Sequence, residues 1–290
     1  MASRLAAAAP GSYRTLVNDA SIETKRPAPG EPVIAMINWG GLRALYIKEV
    51  RRFFKVQLQT VWGPAFSAFL LLLVFSIAFG RSGKLVMGVP FATFAAPGLI
   101  AMSMMQNAFA NASFSLLVGK MQGTIVDYLM PPLSSGELLS ALVGAAVTRA
   151  VLICFALMII VNVWPGHILP VVPWAALYFG LMGAGMLAFL GVLTSIWAEK
   201  FDHNATVTNF VVQPLSLLSG TFYSIEGLHG AFRAFSHLNP FFYVISGFRY
   251  GFLGIADSNI AVGAIVLLAV NAALGILCYG LIRSGWKLKN

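Results

Sequence analysis

The sequence predicts an all-α integral membrane protein. It has six transmembrane helices, an amphipathic interfacial helix before the first, and an outer re-entrant helical hairpin between the fifth and sixth. Three observations predict this. Of 290 residues, 58% are hydrophobic and only 10% charged, where a soluble domain carries roughly 25% charged residues. The apolar residues fall in runs of about 20, the length that crosses about 30 Å of hydrocarbon. The 19 lysines and arginines gather beside those runs, mostly on one side.

Residues 1–32 end in Pro- and Gly-rich chain and read as a tail, ahead of one membrane domain over 33–290. The short Ala-rich stretch after Leu5 is no signal-peptide core. From about Ile34 to Gln59 the pattern turns helical. Ile47, Val50, Phe54, Leu58 and Val61 share one face, and Lys48, Arg51, Arg52 and Lys55 the next. Such a basic amphipathic helix lies in the headgroup layer, apolar side down. Spans follow near 61–79, 91–117, 138–162, 171–196, 205–222 and 260–282. Between the last two, Gly227, Gly230, Asn239-Pro240 and Gly247 cut an apolar segment into pieces too short to cross. We read this segment as the hairpin, with Asn239 capping its second helix and Pro240 in that helix's first position. Its phenylalanines and tyrosines, Phe232 to Tyr250, suit an interfacial aromatic belt.

Charge fixes the orientation. Fourteen lysines and arginines fall on one side of the spans and four on the other, with Arg149 inside the third span. This puts both termini in the cytoplasm, which requires an even number of spans. The basic balance therefore reads as topology and anionic headgroups, not nucleic acid. Cys154 and Cys278 lie at opposite depths, so the spacing argues against a disulfide and for two small apolar packers.

The cytoplasmic loop Gly119–Glu137 is the most informative short stretch. Thr124/Asp127 and Ser134/Glu137 both have capping-box spacing. The first pair would start a short helix, with Gly123 and Thr124 at its start, that Pro131 and Pro132 end. The second would start the third span. A capped helix parallel to the membrane is a knob that a soluble partner can grip, although spacing alone allows a mere connector. The second and fifth spans carry polar stripes: Ser103, Asn107, Asn111 and Ser115 at steps of four, then Thr206, Asn209, Gln213, Ser216 and Gly220 at steps of three and four. Amides facing lipid would leave donors and acceptors unpaired, so the stripes face other helices or water. They read as a substrate path or as helix–helix glue. Pro214 would kink the fifth span. Arg149, deep in the third, must pair with carbonyls, hydroxyls or amides, as a tie between helices or as a substrate contact.

Asp127, Glu137, Glu199, Asp202, Glu226 and Asp257 fall at span ends or in loops. That leaves little for the alternative of an ion-coupled secondary transporter, which needs a relay at membrane depth. The four histidines lack metal-ligand spacing, and no phosphate-binding G-x-x-x-x-G-K-[ST] loop occurs. The chain therefore reads as neither an enzyme nor a nucleotide-binding protein.

Two regions resemble the permease subunits of type-2 ABC exporters. One runs from Gly123-Thr124 to Leu129 and on through Pro131-Pro132-Leu133-Ser134 to Glu137. The other runs from Gln213-Pro214 to Ser224, then through Asn239-Pro240-Phe241-Phe242-Tyr243 to Arg249 ahead of the last span. The chain departs from the family's usual pattern at Lys120, where an acid often precedes the Gly-Thr, and at Leu228-His229. The resemblance implies a permease of the bacterial inner membrane that dimerises and binds a separate ABC ATPase, which itself holds the ATP and Mg. It implies that Gly123, Thr124, Asp127, Tyr128 and Pro131 belong to the coupling segment, with Asp127 and Tyr128 presenting side chains. It also implies that the second and fifth spans flank the path at the dimer interface, which would place Asn107, Asn111, Asn209 and Gln213 there. Such exporters move lipid-linked glycans, lipids or drugs, and the sequence does not select among them.

Overall fold

In a computed structural model of the chain, residues 37–80, 85–163, 168–224 and 231–288 are described. The expected tail lies outside them, as do the expected breaks Gly227 and Gly230. Asn38 starts helix α1, Trp39–Phe54, by accepting the Gly41 amide on its side-chain oxygen at 2.9 Å. The face of α1 that packs is not the expected one. Leu45, Glu49 and Phe53 are buried, whereas Phe54 and Leu58 are exposed. Hydrogen-bond partners for Glu49 wait on neighbouring elements, so its row turns inward and the purely apolar row faces outward.

A π-helical turn, Leu58–Trp62, leads into α2, Gly63–Gly80. Its cause is Pro64, which has no N–H and whose ring crowds the carbonyl four residues earlier. The ladder slips to a five-residue step, with the Gly63 N–H on the Leu58 carbonyl. A two-stranded turn (β1, Leu85–Val86; β2, Val89–Pro90) precedes α3, Phe91–Met121. Then come α4, Val126–Leu129, α5, Ser135–Val163, and α6, Pro173–Trp197. The next rod joins α7, Phe201–Val207, a second π-helical turn, Thr208–Val212, and α8, Gln213–Leu217. Pro214 is its cause, by the same physics, so the expected kink takes the form of a widened turn. Helices α9, Ala231–Leu238, α10, Pro240–Leu253, and α11, Ile260–Ser284, complete the order.

Among the described residues four helices are long and apolar enough to cross a membrane: Leu58–Phe79, Ser135–Val163, Pro173–Trp197 and Ile260–Ser284. They match the first, third, fourth and sixth expected spans. The second position is α3, 31 residues long and packed at the centre against α2, α5, α6 and α10. Its amides and hydroxyls make it less apolar, and burial among other helices supplies most of their partners. The fifth position, continuous from Phe201 to Leu217, is about 25 Å long at about 1.5 Å per residue.

Helices α9 and α10 meet at Asn239, whose side-chain oxygen accepts the Phe241 amide at 3.1 Å, and Pro240 takes the first helical position. Of the expected aromatic belt Phe235 is exposed, while four members turn inward instead. Phe241, Phe242, Tyr243 and Phe248 are buried in the core. Glycines on α10 make this possible, because they let it lie directly on α6. A methyl group at Gly251 would sit 2.4 Å from the Ala176 nitrogen, and one at Gly247 would sit 2.3 Å from the Phe179 ring. Cys154 and Cys278 are both free.

Candidate functional site

The 118–137 loop is built from backbone chemistry first. Gly123, at φ 70°, ends α3. The Thr124 amide reaches back to the Gly119 carbonyl at 2.8 Å and the Gly123 amide to that of Lys120 at 3.2 Å, the paired bonds of a Schellman cap. Gly123 therefore closes the long helix, where it was expected to open the short one. The expected Thr124/Asp127 box does not form either. Helix α4 starts at Val126 without a side-chain cap, and Thr124 contributes only its carbonyl, to the Asp127 amide at 3.0 Å. The second box does form. Glu137 accepts the Ser134 amide at 2.7 Å while the Ser134 hydroxyl accepts the Glu137 amide at 3.3 Å. Glu137 also takes the Asn38 amide at 2.5 Å, and the Asn38 side chain donates to the Pro132 carbonyl at 3.1 Å. The loop and the start of α1 are thus one unit.

On α4, Val126 and Asp127 are exposed, as are Met130 and Pro131 just beyond it. Tyr128, expected to present its side chain, instead points inward and is 7% exposed. The reason is Glu49 of α1, fully buried, whose carboxylate accepts the Tyr128 hydroxyl at 2.9 Å. The Lys48 ammonium lies 3.9 Å from the ring centre. Burial, and then the neighbouring Glu49 carboxylate, push the phenol far above its ordinary pKa, so it remains a donor.

From Glu49 a polar chain runs into the bundle. Its carboxylate accepts Ser115 of α3 at 2.8 Å and pairs with Arg52 at 2.9 Å. Arg52 also donates to the Asn111 carbonyl at 2.9 Å and to Ser115 at 2.8 Å. One turn along α3, the Asn107 amide oxygen accepts Arg149 of α5 at 2.9 Å. The Arg149 Nε donates to the Thr60 carbonyl at 3.2 Å, the carbonyl that Pro64 leaves without its helical donor. One chain of contacts thereby links α4, α1, α3, α5 and the turn before α2.

The polar stripes divide. Ser103, Gln106 and Asn107 of α3 line an open cleft of about 280 Å³ together with Ser67 of α2 and Gln213 of α8. The Gln106 amide donates to Gln213 at 3.3 Å, and Asn209 is exposed on the same rod. Asn111 is not in this cleft. It lies beneath Arg52 and is only 2% exposed, because the end of α1 docks over that part of α3.

At the opposite end of the bundle, Arg249 of α10 is fully buried and paired with Asp257. Its guanidinium also donates to the Gly220 carbonyl at 2.7 Å and lies 3.8 Å from the centre of the Phe94 ring. Asn239 donates to the Leu215 carbonyl at 2.9 Å, and the Tyr243 hydroxyl to that of His237 at 3.0 Å. Asn239 and Arg249 therefore tie α10 to the end of the α7–α8 rod, and Tyr243 ties it to α9.

Sequence reasoning passed over Glu49. It is the single acid between Lys48 and Arg51-Arg52 on a basic helix, and that isolation was the available signal. Among the described residues no group of three or more His, Cys, Asp or Glu gathers to hold a metal.

Comparison with known proteins agrees with this architecture. Residues 41–253 match the family model of the ABC-2 type transporter. The inner membrane transport permease YadH of Escherichia coli K12 is 32% identical over 255 residues, covering 87% of this chain and 98% of that protein. Nodulation protein J of Rhizobium leguminosarum bv. viciae is 25% identical over 253 residues, covering 84% and 92%. Nodulation protein J of Sinorhizobium fredii is 24% identical over 204 residues, covering 68% and 77%. With the family model matching most of its length, this multi-pass membrane chain belongs to the ABC-2 type transporter family.

Proposed function

We propose that two copies of this chain form the membrane half of an ATP-driven exporter of the bacterial inner membrane. A separate ATPase, holding ATP and Mg, docks on residues 119–132. In this reading the α7–α8 rod and α3 complete six crossings, both termini lie in the cytoplasm, and α9–α10 form the outer re-entrant hairpin. One observation carries the proposal. The exposed knob of Val126, Asp127 and Met130 is backed by the Tyr128–Glu49 bond, so a force on the knob reaches α1 and α3 together. Such a joint suits a docking point better than a connector. Asn209 and Gln213 support the dimer. Both are exposed on the rod, and amides at membrane depth need protein or water, not lipid, as their neighbour. The path then runs along the cleft of Asn107 and Gln213, closed on its open side by the second copy.

The test is Asp127→Ala with Met130→Ala, which removes exposed side chains and leaves the Tyr128 anchor in place. In proteoliposomes with the ATPase, the variant should insert and fold normally. ATP hydrolysis should continue without export. Export at the wild-type rate would remove the knob from the mechanism.

A further inference from the structure

We infer that a hollow between α3, α5, α6 and α10 holds one acyl chain of a bilayer phospholipid, and that it recognises the chain and not the headgroup. The hollow has a volume of about 200 Å³. Its walls are Met104 of α3, Val151 and Cys154 of α5, Leu181 of α6, and Phe248 and Phe252 of α10. Among the described residues that line it, none carries an amide, a hydroxyl or a charge. It is separate from the cleft. Ser103 lines the cleft and Met104, the next residue, lines the hollow, so α3 stands between them. Two residues of the lining, Phe155 and Leu177, are 57% and 63% exposed. The hollow therefore opens between α5 and α6, both of them long and apolar enough to cross a membrane.

Depth decides what can enter. Phe155 stands eight residues before the end of α5 at Val163, and Leu177 four after the start of α6 at Pro173. At about 1.5 Å per residue, the opening is about 6 to 12 Å in from those helix ends. With 25 residues, α6 is about 37 Å long and overhangs about 30 Å of hydrocarbon by about 4 Å at each end. The opening thus lies inside the hydrocarbon, where lipid chains are the surrounding molecules. Water is a poor occupant, since an apolar cavity of about 150 Å³ stays dry and takes up benzene. Side chains around such a hollow forfeit dispersion contacts on one side unless something apolar stands there, and a chain end restores them. A second hollow of about 440 Å³ shares Phe155 and Met158 and continues to Asn162 and Leu169, towards the end of α5. This gives the rest of the chain a course towards the headgroup layer. Asn162 is the one polar side chain among the described residues there, and it is committed to its own chain. It donates to the Met158 carbonyl at 2.8 Å and accepts the Ile168 amide at 2.9 Å. No charged group awaits a phosphate, so recognition rests on the chain.

The experiment places the full chain in nanodiscs of dioleoyl phosphatidylcholine with a trace of phosphatidylcholine that carries a diazirine on one acyl chain. After irradiation, the labelled residues are mapped by peptide mass spectrometry. The exposed Ile265, Leu268 and Ile276 of α11 report lipid that merely surrounds the protein. Residues 151–158 and 177–181 should carry label about fivefold above that face, a preference of about 1 kcal/mol. Phosphatidylglycerol with the same diazirine chain should give the same pattern. Val151→Phe and Leu181→Phe fill the hollow from opposite walls, and each should remove the excess while α11 is labelled as before. Even labelling of the two faces in the wild-type chain would reduce the hollow to ordinary lipid-facing surface and overturn the inference. Its absence from the hollow alone would give the place to another protein surface, a second copy included, with the same consequence. Excess label that survives in both filled variants, or that follows the headgroup, would also overturn it. Should neither variant insert, the wild-type distribution decides by itself. The experiment uses neither ATP nor the ATPase, so its outcome and that of the docking proposal are independent.

Discussion

Removing a single oxygen, Tyr128→Phe, tests whether Glu49 holds the loop in place. The ring stays, with Lys48 above it and Gly119 beneath. What is lost is one O–H donor to a buried carboxylate, a class of bond that contributes about 1.5–3 kcal/mol. Glu49 keeps Ser115 and Arg52 on its other oxygen, so the middle of that range, about 2 kcal/mol, is the expected loss. At about 1.4 kcal/mol per decade, the undocked population of α4 rises about 30-fold. Hydrogen exchange reads this directly. The amides of residues 126–130 should exchange about 30-fold faster, while those in the centre of α5 stay as they were. In proteoliposomes with the ATPase, export should fall while hydrolysis persists. Unchanged exchange at residues 126–130 would refute the reasoning, because the loop would then be held by Asn38 and Glu137 alone.

Three further outcomes are expected. Arg249→Leu strands the buried Asp257 carboxylate, at a cost of about 3–5 kcal/mol. Folded, monodisperse protein should be lost on size-exclusion chromatography, and Arg249→Leu with Asp257→Leu should recover much of it; no loss in the single variant would show the pair to be idle. Lys120, at the loop end of α3, donates to the Ile196 and Ala198 carbonyls at 2.5 and 2.9 Å, and burial followed by the nearby Lys287 charge lowers its amine from 10.5 to about 8. A depressed base favours the fold as pH rises from about 8 towards 10.5 and loses that contribution below 8; its acylation, followed by mass spectrometry, should reach half-maximum near pH 8, and a half-maximum near 10.5 would contradict the burial. Asn209→Cys, with Cys154 and Cys278 replaced, should cross-link two copies under mild oxidation, whereas a cysteine at the buried Val212 should not; no cross-link at Asn209 would move the dimer interface elsewhere.

Whatever depends on neighbours along the chain was legible before folding. Apolar run length located the four described helices that are long and apolar enough to cross a membrane, and the two-residue chemistry of Asn239-Pro240 and the three-residue spacing of Ser134 and Glu137 located helix starts. Pro214 marked the place where the fifth rod deforms. The Thr124/Asp127 box shows where this stops. The pattern was present, but Gly123 had already turned the chain to close α3, and Asp127 was left on the exposed side of α4. What only the tertiary structure decided is which polar side chain meets which. Glu49 became a buried hub because Tyr128, Ser115 and Arg52 converge on it from 79, 66 and 3 residues away. The resting place of Arg149 depended on a carbonyl that Pro64 leaves free 89 positions earlier in the sequence. A buried charge is tolerable only where distant partners arrive together. Helical periodicity reports the direction a side chain takes from its own axis, and it holds no information about what stands there.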